Sequence, residues 1–164
     1  MNQNRSRLQV VFDCMVYLQA TISKSGPAAA LFQLVDSNAI VLSVSNDILK
    51  EVRDVLSRPK IRQRNLNITD DRVDAFINRI REKATVVDKV QQHFIYKRDP
   101  KDEKYINLAI TTDANYIISR DKDLLDLMTG YSDDCKEFRR KFRMLKIVKP
   151  TEFLTIIKLE DMKT

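Results

Sequence analysis

Glycine, cysteine and histidine are scarce in this chain of 164 residues, and each scarcity argues against a class of function. Two glycines leave no glycine-rich phosphate loop and no flexible linker. Two cysteines, Cys14 and Cys135, are too few for a disulfide framework or a zinc site, so we expect a reduced, cytoplasmic setting. The single histidine, His93, has no neighbouring nucleophile signature, which argues against Ser–His and Cys–His catalysis.

Long apolar segments are also missing. No run approaches the roughly 18 residues that a membrane span requires, and the N-terminus has no apolar stretch of signal-peptide length. We therefore expect no association with a membrane. With 43% hydrophobic and 32% charged residues, the chain has the composition of an ordinary globular protein. Its length predicts a single domain over residues 1–164, with a core at about 8–155.

The net charge of +6 comes from one stretch near the C-terminus. Between Lys136 and Lys149, seven basic residues accompany one acidic residue, Glu137, and the rest of the chain is neutral. Concentrated positive charge suits a polyanion such as RNA or DNA, and a solvated helical face is an equally good explanation. The residues that we predict to contact nucleic acid are Arg139, Arg140, Lys141 and Arg143.

Short apolar runs alternate with helical patterns along the chain. Strands are predicted at residues 8–14, 39–44, 85–87, 115–119 and 146–148. Helices are predicted at about residues 28–35, 46–57, 70–83, 100–112 and 122–128, with a last helical turn or two from Pro150. Arg58-Pro59 is expected to stop one helix and Asp99-Pro100 to begin another. This alternation indicates an α/β fold with a parallel sheet and helices on both faces.

Four acidic residues occupy positions that such a fold would bring together. Asp13 and Asp121 each follow an apolar strand, and parallel sheets bind ligands in the crevice at the carboxyl ends of their strands. Glu51 lies at the edge of the apolar arc of the helix predicted at residues 46–57. Asp102 lies on the core-facing stripe of the helix predicted at residues 100–112. Each also has a structural explanation. Asp13 and Asp121 can cap helices, Glu51 can hold its carboxylate in water, and Asp102 can join an Asp99-x-x-Asp102 capping arrangement.

A cluster of carboxylates requires a counter-charge. Two like charges about 4 Å apart repel by roughly 4 kcal/mol at an effective dielectric of about 20, so the group must hold protons or share a cation. Oxygen ligands suit Mg²⁺ or Mn²⁺ rather than zinc, and water on one or two such ions can attack a phosphodiester. The sequence therefore predicts a metal-dependent nuclease. A phosphatase or a phosphoacceptor that uses the acidic pocket is a weaker hypothesis, and the lack of an Asp-x-Asp pair at the first strand argues against the phosphatase.

Several stretches resemble the PIN-domain family, specifically the bacterial branch of toxin components of toxin–antitoxin pairs. They extend over about residues 8–155 and are Val11-Phe12-Asp13, Ser43-Val44-Ser45 through Leu49-Lys50-Glu51-Val52, Arg58-Pro59-Lys60, Arg98-Asp99-Pro100-Lys101-Asp102, Tyr116 through Leu125, and Lys149 through Leu154. The phrase Arg-Asp-Pro-x-Asp, followed at a distance by Ser-x-Asp-x-Asp-Leu-Leu, is the most specific of these similarities.

The resemblance implies a three-layer α/β/α PIN-like fold and a Mg²⁺- or Mn²⁺-dependent ribonuclease. It implies that the acidic quartet is Asp13, Glu51, Asp102 and Asp121. The metal would lie on Asp13, Asp102 and Asp121, with support from Ser119 and Asp123. It also implies RNA as substrate, a cognate antitoxin protein as partner, and a homodimer as one oligomeric state.

One motif departs from the family pattern. Members usually carry Asp-Thr-Asn or Asp-Ser-Asn after the first strand, whereas this chain has Asp13-Cys14-Met15. The small hydroxyl and the amide, which can fix the turn and orient the site, are absent from this motif. The alternative hypothesis is therefore a catalytically weakened PIN-like module that binds RNA or a partner protein.

Overall fold

A computed structural model describes residues 7–163 as a twisted parallel sheet covered by helices. Its strands are Leu8–Phe12 (β1), Ile40–Ser45 (β2), Thr85–Val87 (β3), Tyr116–Ile118 (β4) and Lys146–Val148 (β5). Neighbouring strands are parallel throughout, in the order β3-β2-β1-β4-β5. The predicted α/β fold is confirmed. Residues 1–6, where we expect no signal peptide, and residue 164 lie outside the described residues.

Helices connect these strands. They are Cys14–Ile22 (α1), Pro27–Asp36 (α2), Asn46–Leu56 (α3), Pro59–Arg64 (α4), Asp70–Lys83 (α5), Glu103–Thr111 (α6), Lys122–Thr129 (α7), Asp133–Lys141 (α8) and Pro150–Met162 (α9), with a 3₁₀ turn at Pro100–Asp102 before α6. Among residues 7–163, no helix combines the length and the apolar character that crossing a membrane would need.

Three helical segments differ from the sequence-based expectation. Pro59 ends α3 as predicted, but it also begins α4, because proline is well suited to the first position of a helix. Helix α8 was not predicted, and it begins after Ser132, whose hydroxyl accepts the Cys135 N–H. The prediction of only a last turn or two was wrong for α9, which has 13 residues. Its buried Phe153 packs edge-on against Tyr116 of β4.

The central strands hold the core. Val10, Val11 and Phe12 of β1 are completely buried, as expected of a strand covered on both faces. Phe12 meets Tyr17 and Phe32 in edge-to-face contacts, with ring centroids 5.9 and 5.4 Å apart. These contacts attach α1 and α2 to the middle of the sheet.

The strand order changes direction at β1, which pairs with β2 on one side and with β4 on the other. The crevice between the ends of β1 and β4 is therefore the switch point at which α/β sheets bind ligands. The Asp13 N–H donates to the carbonyl oxygen of Ile118 at 3.2 Å, which holds the two strand ends together.

Candidate metal centre

Asp13 lies at the switch point and is buried, with 3% of its surface exposed. Its Oδ1 accepts the Val16 N–H at 3.1 Å, so Asp13 caps α1, and its Oδ2 accepts the hydroxyl of Ser119. Burial raises the pKa of Asp13 above its ordinary value, and the charge of Asp121 raises it further, while the bonds from Ser119 and Val16 oppose this shift. Asp13 is therefore both a helix cap and a buried acid of the crevice.

Ser119 connects the two strand ends. It is completely buried, and its Oγ donates to Asp13 while accepting the N–H of Asp121 at 2.8 Å. Asp121 in turn caps α7, because its Oδ1 accepts the Asp123 N–H at 2.8 Å. Asp13 and Asp121 thus lie at the same edge of the sheet, on either side of one hydroxyl.

Asp102 ends the 3₁₀ turn before α6 and is 6% exposed. Its Oδ2 is buried and has no hydrogen-bond partner among residues 7–163, and its side chain does not cap α6. Burial, followed by the charges of Asp121 and Asp99, raises the pKa of Asp102 to about 8. A buried carboxylate oxygen without a donor is a position that a proton or a cation would satisfy.

Four carboxylates converge at this point. Asp99, Asp102, Asp121 and Asp123 each contribute one oxygen to a group in which all four atoms lie within 4.8 Å of one another. We call this group the acidic cluster. Its ligands are all oxygens, which fits Mg²⁺ or Mn²⁺. Asp13 is outside the acidic cluster and borders it through Ser119.

Asp99 was not among the predicted metal ligands, because its place before Pro100 was explained by helix capping. It does accept the Lys101 N–H at 3.2 Å, and it nevertheless reaches the acidic cluster. The signal that was available is its spacing, three residues before Asp102. Asp123 also has a second contact, an ion pair of 2.7 Å with Arg98.

Glu51 lies on α3, outside the acidic cluster, and two side chains of α6 hold it. The Tyr105 hydroxyl donates to Oε1 of Glu51 at 2.5 Å, and the ammonium group of Lys104 pairs with Oε2. The same hydroxyl accepts the Cys14 N–H at 3.1 Å. Burial and the neighbouring Glu51 raise the pKa of the Cys14 thiol to about 12, so Cys14 is not a thiolate nucleophile. Neither Tyr105 nor Lys104 was identified from the sequence.

These residues border one cleft of about 720 Å³. All four acids of the predicted quartet line it, together with an apolar wall that includes Met15, Leu18, Val55 and Ile61. Its lining also contains four cationic side chains that were not among the predicted nucleic-acid contacts, Lys50, Arg58, Lys101 and Lys104.

Residues 9–123 of this chain match the sequence profile of the PIN domain. The chain belongs to the PIN-domain family. PIN domains form a nuclease superfamily, so this PIN domain is related to enzymes that hydrolyse phosphodiesters. Its acidic cluster is consistent with the divalent metal that PIN nucleases typically use.

This PIN domain is 29% identical to the uncharacterized protein MJ1680 of Methanocaldococcus jannaschii over 148 residues, which is 90% of each chain. The crystal structure of PAE2754 from Pyrobaculum aerophilum has a similar fold, with a TM-score of 0.56 and 12% sequence identity. That alignment covers 93% of this chain and 90% of the other. MJ1680 is an archaeal protein, and membership of the bacterial toxin branch stays a prediction.

The predicted nucleic-acid contacts lie away from the cleft of this PIN domain. Arg139 donates to the carbonyl oxygens of Leu127 and Gly130, at 2.8 and 2.7 Å, and Lys141 pairs with Glu137 at 2.8 Å. Arg143 lies in the segment between α8 and β5, beside the end of the sheet at which β4 and β5 begin. The cleft is lined by none of the four predicted residues, Arg139, Arg140, Lys141 and Arg143.

Proposed function

We propose that this PIN domain is a Mg²⁺- or Mn²⁺-dependent endoribonuclease that hydrolyses RNA phosphodiesters in its acidic cleft. The observation that carries the proposal is the buried Oδ2 of Asp102, which lacks a hydrogen-bond donor among the described residues and lies among three other carboxylates. Like charges gathered in this way would repel without a cation. A bound divalent ion would offset the repulsion and would give Oδ2 of Asp102 a partner.

Asp102 and Asp121 are the best candidates to hold the ion, because they belong both to the predicted quartet and to the acidic cluster. Asp13 keeps ligand capacity as well, since each carboxylate oxygen can accept more than the one bond that Val16 or Ser119 donates. When bound, the metal would supply an acidified water and neutralise charge on the phosphate. Ser119 would keep Asp13 and Asp121 in their relative positions throughout.

Phosphate groups would meet the cations that line the cleft. Lys104 and Arg58 have acidic partners in this structure, Glu51 and Asp54. Lys50 and Lys101 are exposed, so they are well placed to contact phosphates beside the scissile bond. Such contacts would fix the register of the RNA without reading its sequence. Arg140 and Arg143 stay candidates for phosphates farther along the strand.

Cleavage assays with matched variants test the ribonuclease proposal. The purified protein is incubated with single-stranded RNA, structured RNA and DNA of the same sequence, in Mn²⁺, in Mg²⁺ and in EDTA. We expect cleavage of RNA only with a metal ion, and its loss in Asp102→Asn. Asp113→Asn is the control, because Asp113 is exposed and lies outside the cleft. Intact RNA under all metal conditions, or full activity of Asp102→Asn, would contradict the proposal.

We further propose that this ribonuclease is the toxin of a toxin–antitoxin pair. If the enzyme is the toxin of a toxin–antitoxin pair, its expression in a bacterial host should arrest growth, and a cognate antitoxin should relieve the arrest. Asp102→Asn should be harmless at the same expression level, whereas equal growth arrest by the variant would argue against a toxin that acts by cleavage. A homodimer stays part of this proposal, to be tested by sedimentation.

A second candidate function is a catalytically weakened PIN module that binds RNA or a partner protein. The ion pair between Lys104 and Glu51 favours it, because this pair neutralises one acid of the predicted quartet. Cys14-Met15 in place of the usual hydroxyl and amide motivates the same hypothesis. An Asp13→Asn/Asp121→Asn double variant that keeps the RNA affinity of an inactive parent would support this function. Metal-dependent cleavage by the parent would eliminate it.

A further inference from the structure

Tyr105 joins three separate parts of the chain through one buried hydroxyl. Its side chain is 2% exposed and projects from α6. The hydroxyl accepts the N–H of Cys14, the first residue of α1, and donates to Glu51 on α3. These partners are 91 and 54 residues away in the chain. One oxygen atom therefore connects the turn that carries Asp13 with the helix that carries Glu51.

The bond to Cys14 satisfies a group that would otherwise lack a partner. The first N–H groups of a helix have no acceptor within the helix. In α1 the side chain of Asp13 serves Val16, and the Tyr105 hydroxyl serves Cys14. Tyr105 thus fixes the backbone immediately after Asp13, where this chain has neither a hydroxyl nor an amide side chain of its own.

The two oxygens of Glu51 are held in different ways. Tyr105 holds Oε1 and is buried, whereas Lys104 pairs with Oε2 and keeps about a quarter of its side chain exposed, 25%. Lys104 is a flexible chain that can exchange partners with little reorganisation, while the Tyr105 ring is fixed by the core. Oε2 is therefore the oxygen that can be released to the cleft, and Oε1 is the oxygen that anchors the side chain.

We propose that Tyr105 is a positioning residue of this PIN nuclease, whose hydroxyl anchors Oε1 of Glu51 and leaves Oε2 to act in the cleft. The inference rests on the proposed function. It assigns to Tyr105 the role of orienting an acid of the quartet and of fixing the turn beside Asp13. Tyr105 itself touches no reacting atom.

The test compares Tyr105→Phe with a matched variant, Tyr17→Phe. Tyr17 is also completely buried and belongs to α1, but its hydroxyl has no hydrogen-bond partner among residues 7–163. Both variants remove one buried hydroxyl, and only Tyr105→Phe removes the contact to Glu51. NMR of the metal-free proteins measures the difference in chemical shift between the two γ-methylene protons of Glu51, which is large when the side chain is held in one rotamer. Steady-state cleavage with Mn²⁺ gives kcat, KM and the pH profile.

We expect a large γ-methylene shift difference in the parent and in Tyr17→Phe, and a much smaller one in Tyr105→Phe. Loss of a residue that orients a metal-site group typically lowers activity by about 10- to 100-fold, and here the loss should fall on kcat, with an altered pH profile and an unchanged KM. A γ-methylene shift difference as large as that of the parent, or an undiminished kcat, in Tyr105→Phe would overturn the proposal.

The outcomes separate this inference from the proposed function. A parent that cleaves no RNA in any metal overturns the nuclease assignment and with it the catalytic part of the role of Tyr105, while the NMR comparison still decides whether Tyr105 holds Glu51. If Tyr105→Phe does not fold, the parent alone remains decisive. A small γ-methylene shift difference for Glu51 in the parent, or a Cys14 amide that exchanges as fast as an exposed one, would overturn the inference.

Discussion

The hydroxyl of Ser119 is hydrogen-bonded to the carboxylate of Asp13, across 106 residues of sequence. The same Oγ accepts the N–H of Asp121 at 2.8 Å, so one small side chain fixes the ends of β1 and β4 relative to each other. Because the contact to Asp13 is buried and the contact to Asp121 is partly buried, removing the hydroxyl leaves a carboxylate oxygen and an N–H with fewer partners. The geometry of the candidate metal centre therefore depends on Ser119.

Ser119→Ala should lower both stability and activity. An unsatisfied buried polar group costs about 1–3 kcal/mol, so the free energy of unfolding in urea should fall by an amount in that range. Cleavage should fall as well, because Asp13 and Asp121 would lose their common contact. Ser132→Ala is the control, since it removes the cap of α8, typically about 1 kcal/mol, at a position that does not line the cleft. Equal activity of the two variants would argue against this role of Ser119.

Asp102→Asn should change how the stability of the metal-free protein depends on pH. Because the folded protein raises the pKa of Asp102 from 3.8 to about 8, it retains a proton that the unfolded chain releases between these values. This contribution to stability is complete below the lower pKa and is lost as the pH rises to the upper one. Melting temperatures should thus decline less from pH 5 to pH 8 in Asp102→Asn than in the parent.

Addition of Mn²⁺ at pH 8 tests whether Asp102 also holds the metal ion. The ion should raise the melting temperature of the parent and leave Asp102→Asn nearly unaffected, because binding to the folded state alone stabilises it. In the metal-free proteins, an identical decline of melting temperature with pH in the parent and the variant would show that Asp102 does not retain a proton in the folded protein.

Arg139→Ala should destabilise the fold without directly affecting the cleft. The guanidinium group of Arg139 donates to the carbonyl oxygens of Leu127 and Gly130, near the end of α7. Hydrogen bonds from a charged group contribute about 1.5–3 kcal/mol when buried, and partial exposure places the expected loss near the lower value. Arg140→Ala, on the neighbouring residue, should change the free energy of unfolding much less. A larger loss in Arg140→Ala would contradict this assignment.

Salt dependence distinguishes the two groups of cations that could bind RNA. Each phosphate contact to a single strand contributes about 0.7 to the slope of log affinity against log salt, so losing two contacts should reduce the slope by about 1.4. We expect this change in Lys50→Ala/Lys101→Ala, because both side chains line the cleft. Arg140→Ala/Arg143→Ala is the comparison, and a larger change there would favour the sequence-based assignment of the nucleic-acid contacts.

The sequence was sufficient to predict the sheet because each buried strand is a short apolar run. Leu8–Phe12 and Ile40–Ser45 are nearly continuous in apolar residues, and that pattern has few structural alternatives. The length of α9 was harder to predict because only Phe153 and its neighbours pack on the core, while the last turns of this helix are exposed. Apolar runs thus located the strands, whereas the exposed last turns of α9 form no buried apolar face from which their extent could be predicted.

The candidate site was predictable only where strand ends or helix phase determine a residue's position. Asp13 and Asp121 follow strands, and Asp102 falls on the core-facing stripe of its predicted helix, so the sequence named all three as candidates. In the structure Asp102 ends the 3₁₀ turn before α6. Tyr105 and Lys104 were not identified from the sequence, because their contacts depend on how α6 packs against α1 and α3. The position of the basic stretch between Lys136 and Lys149 could not be predicted either, because a count of charges does not reveal at which end of the sheet the basic side chains lie.

A calorimetric titration of Mn²⁺ into the metal-free protein shows most directly whether this cleft holds a metal ion. We expect a saturable heat of binding for the parent, greatly weakened in Asp102→Asn and unchanged in Asp113→Asn. A parent that shows no saturable binding, or an Asp102→Asn variant that binds Mn²⁺ as tightly as the parent, would contradict the assignment of this cleft as a metal centre.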